Sequence, residues 1–191
     1  MRYLPEHKVE VHRKILKDAS RRVRAEGITG AAVSSVMRDS GLTHGGFYKH
    51  FGSKGDLLTQ SLGEAFQEIA DHLTQAVENS QPGTAWKAIV KAYLSAEHCD
   101  HAECGCPMAA LASELARADQ SVKAPIRGEL IKYKNRMLPL MPGRRIADKE
   151  RAFFAIFSTM IGAVAIARML PDQAAQARVL ASARDFLLRS F

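Results

Sequence analysis

Several protein classes are excluded by what this chain has little of. Cysteine occurs only three times in 191 residues, an odd number that argues against a disulfide framework and fits a reducing compartment. No stretch alternates apolar and polar residues over the length of a strand, so a β-sheet fold is not expected. The longest apolar run, residues 152–167, is bounded by Arg151 and Arg168 and interrupted by Ser158, Thr159 and Gly162. It falls short of the roughly 20 residues that a membrane helix requires. The opening "MRYLPEHKVEVHRKIL" carries charges where a secretory signal needs an apolar core. These features lead to the expectation of a cytoplasmic chain with no membrane partner. A phosphate-cradling glycine loop and a nucleophile–base–orienter pattern are also missing, and the carboxylates are scattered, so neither an enzyme nor a cofactor is expected.

What is present is helical periodicity along almost the whole length. A first helix is expected over residues 6–26, with Ile15, Ala19 and Val23 on its buried face and Gly27 as its stop. A short helix over 33–40 follows, with Val33, Val36 and Met37 inward and Gly41 as the left-handed residue at its end. Thr43 is the N-cap candidate of a further short helix reaching Phe51. "SKGD", residues 53–56, reads as a capping box that opens a long helix whose buried stripe is Leu58, Leu62, Ala65, Ile69 and Leu73. Later helices are expected over 84–98, 108–118, 122–138, 148–170 and 172–190, separated by "CDHAECGCP", "PLMPG" and Pro171.

Charge is unevenly distributed along these elements. Residues 1–56 hold 11 Lys and Arg against 6 Asp and Glu, whereas the remaining residues hold 16 against 14. A basic excess at one end points to a polyanion there. In the same region, a helix, a tight glycine turn and a second short helix with exposed polar residues form a helix-turn-helix pattern, whose second helix can enter the DNA major groove. In "GLTHGGFYKHFGSKGDLL", residues 41–58, Phe47 and Phe51 lie four apart and anchor the segment to its own domain. Thr43, His44 and Lys49 can then reach base edges. Tyr48, His50 and Lys54 are placed for phosphates, and Gly45 and Gly46 would let the backbone approach the duplex.

Together with the preceding "GITGAAVSSVMRDS", this stretch resembles the DNA-binding signature of TetR/AcrR-type transcriptional regulators. The resemblance implies an all-α fold in which residues 1–52 form a three-helix DNA-binding domain. Residues 53–191 would form a larger helical domain for effector binding and dimerisation. It further implies Tyr48, His50 and Lys54 as phosphate contacts, with Thr43, His44, Gly45, Gly46 and Lys49 on the groove-facing helix. Two positions depart from the family pattern. Ala32 stands where a capping threonine is common, leaving Ser34 a phosphate-side role or none, and Gly55 replaces a more usual acidic residue. The implied partners are double-stranded DNA, a second copy of the chain and a small-molecule effector of unknown identity.

The remainder of the chain poses two further questions. Residues 152–167 are apolar around most of the helix, which requires cover on more than one side: either a four-helix dimer interface built with the last helix, or a central place in a monomeric core. Phe66, Trp86, Tyr93, Met137, Phe153 and Phe157 are candidate effector-pocket residues, or plain core. "HCDHAECGCP", residues 98–107, gathers Cys99, Cys104 and Cys106 with two histidines. Three readings remain open for this cluster. Cys106, just before a helix that starts with Pro107, could be a reactive thiolate favoured by the helix dipole. The group could bind metal, although its spacing is no common zinc pattern. Alternatively, the cysteines are small, inert core residues.

Overall fold

The computed structural model describes residues 5–191; residues 1–4, at the start of the expected DNA-binding domain and of the segment tested for a signal peptide, lie outside it. The described residues are helical throughout, with no strand. Helix α1, Pro5–Gly30, is broken at Gly27, where φ is 79° and ψ 174°. Only glycine fits there comfortably, because the backbone is left-handed and a Cβ would stand 2.7 Å from the Glu114 carboxylate. Helix α2, Val33–Asp39, ends at Gly41, whose φ of 77° turns the chain as the sequence predicts.

A single 3₁₀ segment, His44–Lys49, follows in place of an α-helix. Its Thr43 side chain does not cap it, which corrects the N-cap expectation; the turn is closed by backbone, Gly46 N–H donating to the Thr43 carbonyl at 2.9 Å. Helix α3, Lys54–Ala76, is the spine of the molecule. Its N-terminus is capped by Ser53 Oγ, which accepts from Asp56 N–H at 3.0 Å. The Asp56 carboxylate reaches back to Gly52 N–H, also at 3.0 Å, one residue earlier than a standard capping box would place it.

The segment expected as one helix over 84–98 is two. Helix α4, Ala85–Tyr93, stops at Leu94, and α5, Ala96–Asp100, restarts under its own cap, Ser95 Oγ accepting from His98 N–H. After a 3₁₀ turn at Ala102–Cys104 come α6, Pro107–Arg117; α7, Gln120–Met137; α8, Ile146–Ala167; and α9, Gln173–Ser190. Helix α8 begins earlier than the apolar run suggests and reaches 22 residues, so by length and composition it could cross a membrane. Here it packs beside α9 and buries Phe153, Ile156, Phe157, Met160 and Val164.

Two hydrophobic cores result. The smaller joins Ile15 and Ala19 of α1, Val36 and Met37 of α2, Phe47, Phe51 and Leu57. The larger fills the space among α3, α4 and α6–α9, and it also takes in Val23 and Ala31. The second half of α1 therefore packs on the C-terminal helices, and the two units share it.

Candidate functional site

The 3₁₀ segment sits on the smaller core like a lid with one face dry and the other wet. Phe47 and Phe51 are each 2% exposed, and their rings stack at 5.6 Å. Burying two aromatic side chains is worth about 3–6 kcal/mol, enough to fix this short segment without α-helical hydrogen bonds. The alternate positions are left outward. Tyr48 is 71% exposed, Thr43, His44, Lys49 and Lys54 are exposed, and among the described residues no hydrogen bond engages these side chains.

The two glycines prove unequal. A Cβ on Gly45 would meet nothing within 4 Å, so its bare backbone faces outward. One on Gly46 would meet Met37 Cε at 3.6 Å and Thr43 Oγ1 at 3.9 Å, so Gly46 looks towards its own domain. The surroundings are most open at Gly45, while Gly46 borders a concave surface of the same segment. Ser34 is exposed in the first turn of α2, where Ala32 provides no side-chain cap.

His50 is partly buried beside this face. Burial, then His12, Lys8 and Lys49, hold its pKa below the ordinary histidine value. Its Nδ1 is buried and lacks a hydrogen-bond partner. Lys8 and Lys49 line one concave surface with Thr43, Gly46 and His50, and bring two ammonium groups to it. Lys54 stands at the first position of α3, where its ammonium adds to the positive end of the helix dipole. This arrangement can hold a polyanion, with donors on both flanks of an uncluttered backbone.

Behind this face, α1 is tied to the C-terminal helices by buried polar contacts that the sequence did not reveal. The Arg24 side chain is fully buried. Its guanidinium donates to Ser20 Oγ (3.1 Å), the Gly105 carbonyl (3.0 Å) and Glu68 Oε2 (2.5 Å). Below it, the Glu114 carboxylate of α6 accepts from Ile28 N–H at 2.9 Å, just after the break at Gly27.

The cysteine segment is the other end of these ties. His98 is buried, donates from Nδ1 to the Tyr93 carbonyl at 2.7 Å and accepts at Nε2 from Cys106 N–H at 2.9 Å. Those two bonds require the neutral ring protonated on Nδ1. Burial above all, with Arg168, His72 and Arg24 adding to it, outweighs the Tyr93 carbonyl and lowers the His98 pKa from 6.5 to about 4. Arg168 spans the same loop, donating to the carbonyls of His98 and Cys99. Gly105 leaves no room for a side chain, since a Cβ would lie 2.8 Å from His98 Nε2.

Of the three readings of this cluster, the geometry weighs against a reactive thiolate at Cys106. Cys106 is indeed the N-cap residue of α6, and the N–H groups of Ala109 and Met108 favour its ionised form, but it is 1% exposed and burial raises its pKa overall. The Cys99 thiol is pushed up by burial as well. Cys104 is exposed, and all three cysteines are free. Among the described residues no three His, Cys, Asp or Glu side chains converge as a metal group.

The candidate pocket residues divide in the same way. Phe153 and Phe157 line a cleft of about 360 Å³ between α6, α7 and α8. Trp86 packs against Phe191, Phe66 against Tyr133 and Tyr93 against His98, and Met137 is fully buried. These four are core residues, placed there by size and burial.

Comparison of the whole structure with solved ones decides the fold. A regulator from Chloroflexus aurantiacus J-10-FL, described as a TetR transcriptional regulator, superposes with a TM-score of 0.77 at 20% identity, over 96% of this chain and 95% of its own. The chain has the fold of TetR-type regulators. A TetR-family regulator from Cytophaga hutchinsonii matches with a TM-score of 0.75 at 16% identity, over 98% of each chain. One from Agrobacterium tumefaciens matches at 0.72 and 20% identity, over 95% of this chain and 98% of its own. No family model and no curated protein matches the sequence. The TetR-type fold thus rests on shape.

Proposed function

We propose that this chain is a transcriptional repressor that binds a palindromic or near-palindromic DNA site as a homodimer and lets go of it when an effector occupies its C-terminal unit. The observation that carries this reading is the face formed by Thr43, His44, Gly45, Tyr48 and Lys49, outward, unpaired and seated on the buried Phe47 and Phe51. Residues 1–52 serve as the DNA-binding unit and 53–191 as the effector and dimer unit. His44 and Lys49 read bases, while Tyr48, His50 and Lys54 hold phosphates, with Ser34 at the flank. The chain acts in the cytoplasm and catalyses no reaction.

The dimer uses the exposed side of α8 and α9. Ile166 of α8 and Phe186 of α9 are each more than half exposed there, among small residues that permit close helix approach. The ties at Arg24 and Glu114 supply the coupling. Cys106 lies on the wall of the α6–α8 cleft, and the carbonyl of the preceding Gly105 accepts from Arg24 in α1. A shift of the start of α6 is thereby transmitted to the helix that carries the DNA-binding unit. The effector dissociates DNA to the extent that it prefers the shifted shape.

Selection of bound sequences from a random duplex pool tests the reading. A two-fold symmetric consensus with half-sites about one helical turn apart supports it. Recovery of no consensus at low salt contradicts it.

A further inference from the structure

The cleft between α6, α7 and α8 has walls of one chemistry and a floor of another. Its walls are Met108, Ile131, Phe153, Phe154, Phe157 and Ile161. The Phe153 and Phe157 rings lie 4.5 Å apart, and Tyr133 meets Phe157 edge-on at 5.5 Å. Ile131 and Phe154 are 50% and 57% exposed at its mouth. Such walls favour a flat aromatic body, which can use both stacked and edge contacts.

The charge lining the cleft is already neutralised. Lys134 Nζ is paired with Glu150 Oε1 at 2.6 Å, so an anion would have to compete with a carboxylate in place. An uncharged occupant has no such competitor.

The floor lacks a partner. Tyr133 is 5% exposed, its Oη is sealed from water, and no group among the described residues completes a hydrogen bond to it. It lines the same cleft as the buried Cys106. Tyr93 Oη is also fully buried and lacks a well-formed hydrogen bond. An orphaned buried hydroxyl forfeits the stabilisation of a hydrogen bond, which a bound oxygen acceptor would restore. The flexible Met108 side chain, in the same wall, can give way to admit that oxygen.

We propose that this cleft binds a small, neutral, planar aromatic carbonyl compound, its ring between Phe153, Phe154 and Phe157 and its carbonyl oxygen accepting the Tyr133 hydroxyl proton. The cleft volume suits a molecule of about a dozen to twenty heavy atoms. The inference deepens the effector reading by naming the ligand class, and it is tested on the protein without DNA, so a failure to bind DNA leaves it readable.

The probes are 2-acetylnaphthalene, 2-ethylnaphthalene and 2-naphthoate, matched in size and differing in acceptor and charge, titrated calorimetrically. The ketone saturates one site per chain, and the naphthoate binds at least about tenfold more weakly, as a single unpaired charge in an apolar site requires. Tyr133→Phe, which keeps the ring and removes only the orphaned hydroxyl, weakens the ketone about tenfold and leaves ethylnaphthalene within about twofold. Ser158→Trp, at an exposed rim position, blocks the ketone and the hydrocarbon alike. An equal effect of Tyr133→Phe on ketone and hydrocarbon, tighter binding of the naphthoate, or no saturable binding of any probe would overturn the proposal.

Discussion

Replacing Arg24 should loosen the hold of the C-terminal helices on α1, and the size of the effect can be worked out. The side chain is fully buried, and its guanidinium serves the Ser20 hydroxyl, the Ser20 and Gly105 carbonyls and the Glu68 carboxylate. Removing one partner of a buried ion pair typically costs about 3–5 kcal/mol. The Glu68 side chain keeps 30% exposure, so water can take over part of its solvation. The Gly105 carbonyl is not so easily rescued. For Arg24→Met, which fills most of the volume, the loss is therefore about 2–4 kcal/mol. With a urea m-value of roughly 2–3 kcal/mol/M, the unfolding midpoint drops by about 1 M at fixed protein concentration. Adding Glu68→Leu removes the stranded carboxylate and should recover at least about 1 kcal/mol. A midpoint within about 0.2 M of the parent for Arg24→Met would refute the claim that this network holds the two units together.

Two further outcomes follow from the same geometry. His98 has a folded-state pKa of about 4 against an ordinary 6.5, so the folded protein disfavours its charged form. Stability is complete above pH 6.5 and falls by about 3 kcal/mol between pH 6.5 and 4 as the unfolded chain takes up the proton first; acid unfolding monitored by circular dichroism should show a one-proton component that His98→Gln removes. On the DNA face, Tyr48→Phe and Lys54→Gln should weaken binding to all duplexes alike, and the lysine change should reduce the slope of log affinity against log salt by about 1. His44→Ala, measured by anisotropy on single-base variants of the selected site, should instead alter preference at particular positions.

The parts of this fold that obey local rules were legible in the sequence. Gly27 and Gly41 both adopt the left-handed backbone expected of helix stops, and Ser53 caps α3. The stripe from Leu58 to Leu73 is buried, as its spacing requires. What was not legible depends on contacts distant in sequence or on competition between effects. The pattern at Cys106 gave the helix end correctly, but its burial reverses the pKa direction, and burial is a tertiary property. Arg24 reads as one of several basic residues on α1; only the arrival of Gly105, 81 positions later, makes it a buried tie. The break at Leu94 carried a weak local signal, a serine three residues before His98, which the apolar periodicity on either side concealed. Gly45 and Gly46 are indistinguishable by composition, and only the position of Met37 separates them.

That separation supplies the most direct test of DNA recognition. A side chain at Gly45 meets nothing in the protein itself, so Gly45→Leu should leave the thermal midpoint within about 2 °C of the parent. The same side chain would stand between the backbone and the duplex. The account predicts that this folded variant loses at least about a hundredfold in affinity for the selected site, measured by fluorescence anisotropy. Undiminished binding by folded Gly45→Leu protein would contradict it.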